Sequence, residues 1–125
     1  MRFSLLPEQQ PLDDSCYLQM NLTTKADEAG NLQVLDSSSE LWIYGQKAKW
    51  QENYSPALSQ QGDTCELYCS GYYEIVVSCW DTDLRRALEN MGGEAQSSRP
   101  SPWALVYRGT RTFEQQLPLE CFMGW

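Results

Sequence analysis

The stretch from Cys65 to Met91, CELYCSGYYEIVVSCWDTDLRRALENM, carries the longest apolar run of the chain and leads it straight into a helical pattern. Its odd positions Cys65, Leu67, Cys69, Tyr73, Ile75, Val77 and Cys79 are all apolar, whereas the even ones, Glu66, Tyr68, Ser70, Tyr72, Glu74, Val76, Ser78 and Trp80, are mixed. Apolar side chains at every second position cover one face of a strand, so this segment is β structure with one face buried. A straight strand of that length exceeds the usual range of about three to ten residues, and a break is expected at Ser70-Gly71. A two-residue turn there would move Glu66 onto the face of Ile75. A three-residue loop with a bulge, or a sharp bend at Gly71, keeps odd with odd, and these are the expected geometries.

A helix follows without a linker. Asp81 or Thr82 can accept a hydrogen bond from the free amides of the first turn, and Asp83 is favourable near the positive end of the helix dipole. Leu84, Ala87, Leu88 and Met91 recur at the spacing of one helical face, and Gly92-Gly93 supplies a left-handed stop, which predicts a helix over 82–91. The apolar stripe needs an apolar surface to lie on, and the sheet is that surface.

Before this segment, Phe3 and Leu5 suggest a short first strand, and Pro7 to Asp14 reads as a polar loop. Cys16, Leu18, Met20 and Leu22 alternate with polar neighbours as an amphipathic strand. The charged turn Lys25 to Asn31 returns it through Leu32 to Leu35 as a hairpin. After a break at Asp36 to Glu40, Leu41 to Trp50 is expected as one strand, with Trp42, Tyr44, Ala48 and Trp50 on one parity and a bulge at Gly45. From Gln51 to Asp63 a short helical turn is expected, started at Ser55-Pro56 and stopped at Gly62.

After the helix, GEAQSSRPSP, Gly93 to Pro102, is linker-like. Trp103, Leu105 and Tyr107 alternate into a further strand, which Gly109 interrupts and Arg111 to Phe113 continue. The apolar ending LPLECFMGW is expected to be tied into the sheet. At 125 residues the chain reads as one domain. Its order predicts an α+β fold: an antiparallel curved sheet or partly open barrel, packed on one side by a single principal helix. A mostly-β sandwich is the alternative.

Seventeen acidic residues against nine basic ones, with no histidine, give a net charge of −8. Such a chain repels nucleic-acid phosphates and anionic membranes and attracts basic surfaces, so neither direct nucleic-acid binding nor membrane attachment is expected. The five cysteines are odd in number and irregular in spacing, a poor disulfide framework; five small buried thiols are expected, with no metal site. Together with a start, MRFSLLPEQQ, that lacks the pattern of a secretion signal, this leads to the expectation of a cytoplasmic protein, or one released into a host cytoplasm.

The absence of histidine removes the common general base and triad partner. Glu66 with Glu74, or Asp81 with Asp83, are the nearest carboxylate pairs, but no nucleophile and base can be paired by spacing, and no enzyme or cofactor is expected. What remains is a surface. The even face combines Glu66, Tyr68, Tyr72, Glu74 and Trp80 with Asp81 beside it, and aromatic anchors among carboxylates suit a basic protein partner, such as a toxin or a nucleic-acid-binding enzyme. The expectation is a protein that binds and blocks or modulates that partner, of the immunity or antitoxin type or the phage anti-defence inhibitor type. Two other classes compete: a small-ligand-binding domain with an aromatic pocket, and a structural subunit of a homo-oligomer.

Overall fold

The computed structural model describes residues 2–7, 16–96 and 99–122. Eight strands and one helix succeed one another as β1 (Arg2–Pro7), β2 (Cys16–Ala26), β3 (Leu32–Ile43), β4 (Gln46–Glu52), β5 (Ala57–Gln61), β6 (Thr64–Ser78), α1 (Thr82–Asn90), β7 (Glu94–Ala95) and β8 (Ala104–Pro118), with a 3-10 turn at Leu119–Phe122. The pairing is antiparallel throughout, in the order β5-β6-β4-β3-β2-β1-β8-β7, and β6 also pairs with β8. The ladder therefore returns on itself, and the sheet curls into a barrel. Its closing contact, between β1 and β8, is two residue pairs long among the described residues, and the sheet forms a curved, partly open barrel. The fold is α+β, one curved antiparallel sheet with a single helix.

The longest ladder joins β6 to β8 over fifteen consecutive pairs, from Thr64↔Pro118 to Ser78↔Ala104. It preserves the alternation read from the sequence: Cys65, Leu67, Cys69, Tyr73, Ile75 and Val77 are all buried. The loop expected at Ser70-Gly71 does not form. At that point β6 instead changes neighbour on its other edge, from β5, which pairs with Thr64 to Tyr68, to β4, which pairs with Gly71 to Glu74. Gly71 is needed for close approach, since a Cβ there would meet the Gln51 carbonyl oxygen and lie 2.7 Å from the Trp50 ring. Gly109 likewise does not interrupt β8; it lies against the Tyr73 ring, whose Cζ would be 2.8 Å from an added Cβ.

The first hairpin forms as expected but runs further, from Cys16↔Ile43 to Ala26↔Leu32, with a register shift at Thr23/Thr24. The break expected at Asp36 to Glu40 is strand. Composition misleads there because Asp36, Ser38 and Glu40 face solvent, while Ser39 donates to Glu52 Oε1 at 2.6 Å. The single strand expected over Leu41 to Trp50 is two strands. Tyr44 and Gly45 have φ of +49° and +75°, and two successive residues of positive φ make the tight turn that suits a twisted hairpin. The reversal splits the parity: Trp42 pairs with Lys47 on the outer face, whereas Ala48 and Trp50 turn inward, Trp50 edge-on to Phe113 at 5.7 Å. The helical turn expected between Gln51 and Asp63 is also corrected, because Ala57–Gln61 pairs with β6 as β5, and Gly62, with φ of +59°, returns the chain.

Helix α1 begins where Asp81 accepts a hydrogen bond from the Leu84 amide at 3.2 Å. Leu84, Ala87 and Leu88 are buried, and Leu84 and Leu88 join the same core as Leu18, Leu41, Ile75 and Tyr107. Tyr107 also donates to Glu89 Oε1 at 3.0 Å. The helix thus covers the barrel end that carries Val77, Leu105 and Tyr107. It stops at Gly92, with φ of +84°, and the Gly93 amide donates back to the Leu88 carbonyl at 2.8 Å.

At the other end, Phe122 is 1 % exposed, stacks on Phe3 at 5.1 Å, and its carbonyl accepts the Thr24 hydroxyl at 2.6 Å. The C-terminal run is tied in as far as Phe122, and residues 123–125 lie outside those described. So does nearly all of the polar loop expected from Pro7 to Asp14. In the linker-like stretch, Glu94–Ala95 pairs with β8, and residues 97 and 98 lie outside those described.

All five thiols are free. Cys16, Cys65 and Cys69 are buried and Cys79 half-buried, but Cys121 is exposed, because the terminal 3-10 turn that points Phe122 inward leaves its neighbour outside. Among the described residues no three potential ligands cluster in a way that could hold a metal. Burial, reinforced by the Glu52 carboxylate, pushes the Cys69 thiol up to about 12, and burial also raises Cys16, Cys65 and Tyr73.

A group whose folded pKa lies above its ordinary value stabilises the fold in its protonated form. That contribution is complete below the ordinary thiol value of 9.0 and is lost as pH climbs towards about 12. The urea midpoint should therefore hold steady near neutrality and fall progressively above about pH 9. Cys69→Ala should flatten part of that fall; an unchanged slope in the variant would show that Cys69 does not carry it.

Candidate protein-binding face

The alternation that buries the odd residues of β6 sends the even ones outward. Tyr72 is 57 % exposed, Val76 49 % and Trp80, just past the strand, 69 %; Glu66 and Tyr68 are half-buried on the same side. Helix α1 does not cover this face, because its apolar stripe is spent on the core. Glu66, Tyr68, Tyr72 and Glu74 therefore share one outer surface, with Trp80 and Asp81 at the junction of β6 and α1. Positions four apart along a strand lie about 13 Å from one another. Tyr72, Val76 and Trp80 are thus spaced anchors along a ridge and not one compact cluster.

Two of the carboxylates are already engaged within the chain. Glu74 stands opposite Arg108 on one side and Lys49 on the other, and its oxygens meet Arg108 Nε at 2.6 Å and Lys49 Nζ at 3.8 Å. Exposed cross-strand pairs of this kind are worth up to about 1 kcal/mol. Around Tyr72 the nearest charges are therefore two cations and one anion. Asp81 caps the helix. Each carboxylate pair considered for acid–base work thus has one member engaged elsewhere, Glu74 by Arg108 and Asp81 by the Leu84 amide.

The aromatic part is larger than the sequence suggested. Trp103, which shares its parity with the buried Leu105 and Tyr107, is 60 % exposed and stacks on Trp80, with ring centroids 5.3 Å apart and planes 17° from parallel. The reason is positional. The β6–β8 ladder ends at Ser78↔Ala104, so Trp103 lies one residue beyond it and turns out of the barrel. The Cys79 amide donates to the Trp103 carbonyl at 2.8 Å and holds the two indole-bearing segments together. Tyr54, also unanticipated, stacks on Tyr68 at 6.3 Å with planes 7° apart. Beside Tyr72, a concavity of about 350 Å³ opens between Lys49, Gln51, Glu74 and Arg108. A partner side chain can enter it. Its rim offers charge of both signs and its side an exposed phenol.

Comparison of the chain with protein-family models, with curated proteins and with solved structures found no match. Among the described residues no helix is long and apolar enough to cross a membrane. The function is therefore argued from the chemistry of the face itself.

Stacked indoles couple their transitions, so wild-type protein should show an exciton couplet in far-ultraviolet circular dichroism, and Trp80→Ala should remove it. Because both rings are largely exposed, the substitution should lower stability by no more than about 1 kcal/mol. A loss of the size seen for core residues would make the stack a structural element instead.

Proposed function

We propose that the protein acts by binding another, basic protein across the outer face of β6 and the start of β8, blocking or modulating it in the manner of an immunity protein, an antitoxin or a phage anti-defence inhibitor. The observation that carries this reading is the exposure of Trp80, Trp103, Tyr72 and Val76 along one side of a barrel whose core is filled without them. Large aromatic side chains held outside the core cost solubility, and aromatic residues are the usual anchors of protein interfaces.

The net charge of −8 supports a basic partner through its long-range field, which accelerates encounter. The contact itself is aromatic, since Glu74 and Asp81 are occupied within the chain. Glu66 adds a further carboxylate at its margin. Free thiols at all five cysteines support a cytoplasmic setting.

The test compares capture from native lysate at low salt by wild-type protein and by the Tyr72→Ala/Trp80→Ala variant, followed by kinetics with the purified partner. A basic protein retained by the wild type, released by salt and lost by the variant is the expected result. Salt should then slow association and Trp80→Ala should speed dissociation. Identical retention by both proteins, or binding indifferent to salt, would sink the reading.

A further inference from the structure

We propose that the barrel contains an oxyanion-binding site at its seam, centred on the guanidinium of Arg111, which takes the carboxylate or phosphate group of a small ligand. The site lies on the opposite face of the sheet from the aromatic ridge and does not depend on it. Arg111 sits midway along β8 on the inward parity of Tyr107 and Phe113, directly opposite Gly71. Its Nε and Nη2 are buried without a hydrogen-bond partner. The ion pairs among the described residues are Lys47–Glu40, Lys49–Glu74 and Arg108–Glu74, none of which involves Arg111. An arginine cannot shed its proton, and a buried charge without a counter-ion is costly.

The neighbours sharpen the demand. Tyr73 Oη and Trp50 Nε1 are also buried without partners; Trp50 and Tyr73 face each other across the β4–β6 ladder, and Tyr73 faces Gly109, two residues before Arg111. Four of the five orphaned buried side-chain atoms found among the described residues therefore stand on three adjoining strands at one level of the barrel. The fifth is Nε of Arg85 on α1. Every one of the five can donate a hydrogen bond. None of these atoms has found an acceptor, and an oxyanion supplies several at once.

The nearest interior carboxylate, Glu52, also lies opposite Gly71, but its Oε1 is taken by the Ser39 hydroxyl and its charge bears on Cys69. Burial raises the pKa values of Cys16 and Tyr73, and Arg111 draws both back down, Cys16 through its charge and a side-chain hydrogen bond and Tyr73 through its charge.

On the edge of β8 away from β6, β7 pairs with Tyr107 and Arg108 and β1 with Phe113 and Glu114. Residues 109–112 between them have no strand partner on that edge among the described residues. Arg111 as a whole is accordingly only half-buried while its Nε and Nη2 are shielded. Two neighbouring N–H groups of a planar guanidinium match two oxygens of a carboxylate or phosphate. The surrounding interior holds fully buried side chains such as Leu5, Ile43 and Phe113, so the proposed site takes no more than a head group and leaves any apolar remainder of the ligand outside.

Thermal denaturation of full-length protein at fixed ionic strength, with chloride replaced by acetate, phosphate or decanoate and with decanol as the neutral control, tests the assignment. The wild type should gain a saturable rise in Tm with at least one oxyanion, and Arg111→Met should weaken that response about tenfold or more. Acetate against phosphate identifies the head group; decanoate against acetate shows whether an apolar tail adds to it. Should Arg111→Met fail to fold, Arg111→Lys, which keeps the charge but loses the paired N–H groups, should respond more weakly than wild type. A wild-type protein indifferent to all three anions, or variants that respond as it does, would overturn the proposal. So would loss of stability in Glu52→Gln with no anion response in the wild type, which would make Glu52 the neutralising partner.

Discussion

The fifteen-pair ladder between β6 and β8 is the constraint on which the other elements depend. It fixes parity along both strands, and a slip of one residue would exchange the buried set Tyr73, Ile75 and Val77 for the exposed set Tyr72, Val76 and Ser78. Two glycines keep it in register. Tyr73 needs the space above Gly109, directly opposite, and Trp50 needs the space above Gly71 on the neighbouring strand. After a slip, Tyr73 would face Arg108 or Thr110, and the ring would have nowhere to lie. Close packing of aromatic rings on glycine thus sets which residues face the core, and through them which face solvent.

The same parity distributes the polar groups unequally. Outside, Glu74 lies between Arg108 and Lys49, so charge on that face is matched across three strands. Inside, the acceptor Glu52 is matched to Ser39, but Arg111 Nε and Nη2, Tyr73 Oη and Trp50 Nε1 have no counterpart. All five unpartnered buried side-chain atoms among the described residues can donate, an asymmetry with a chemical direction. Its cost is carried by the apolar remainder, with Leu18, Met20, Leu41, Leu67 and Phe113 almost or wholly removed from water.

Much of this was legible in the sequence wherever an element buries one face. The strands around Cys16 and Cys65 and the helix with its Asp81 cap announce themselves by period, because burial selects apolar residues at fixed spacing. The polar stretches Asp36 to Glu40 and Ala57 to Gln61 do not, since a strand with a solvated face and few core positions has the composition of a loop. Tyr44-Gly45 was misread because a bulge and a two-residue turn share the glycine signal and differ only in the φ of the residue before it. The outer face was half legible: Tyr72 and Trp80 follow from parity, but Trp103 shares its parity with buried residues and is exposed only because the ladder ends one residue after it. Arg111 carried no signal of its own. An arginine on an inward parity reads as the end of a strand's buried stretch, and only its position opposite Gly71, in mid-ladder, shows otherwise.

The choice of side chain at that position also bears on what the interior can do. A lysine there could escape the cost of burial by releasing its proton, and would then be a neutral amine with no standing demand for an anion. Arginine keeps its charge at any pH the fold survives, and the chain has no histidine. The attraction for an acceptor is therefore constant, set by geometry and not by pH. Mid-barrel, it is placed where a bound oxyanion would also bridge β4, β6 and β8, the three strands whose rings and glycines hold the register.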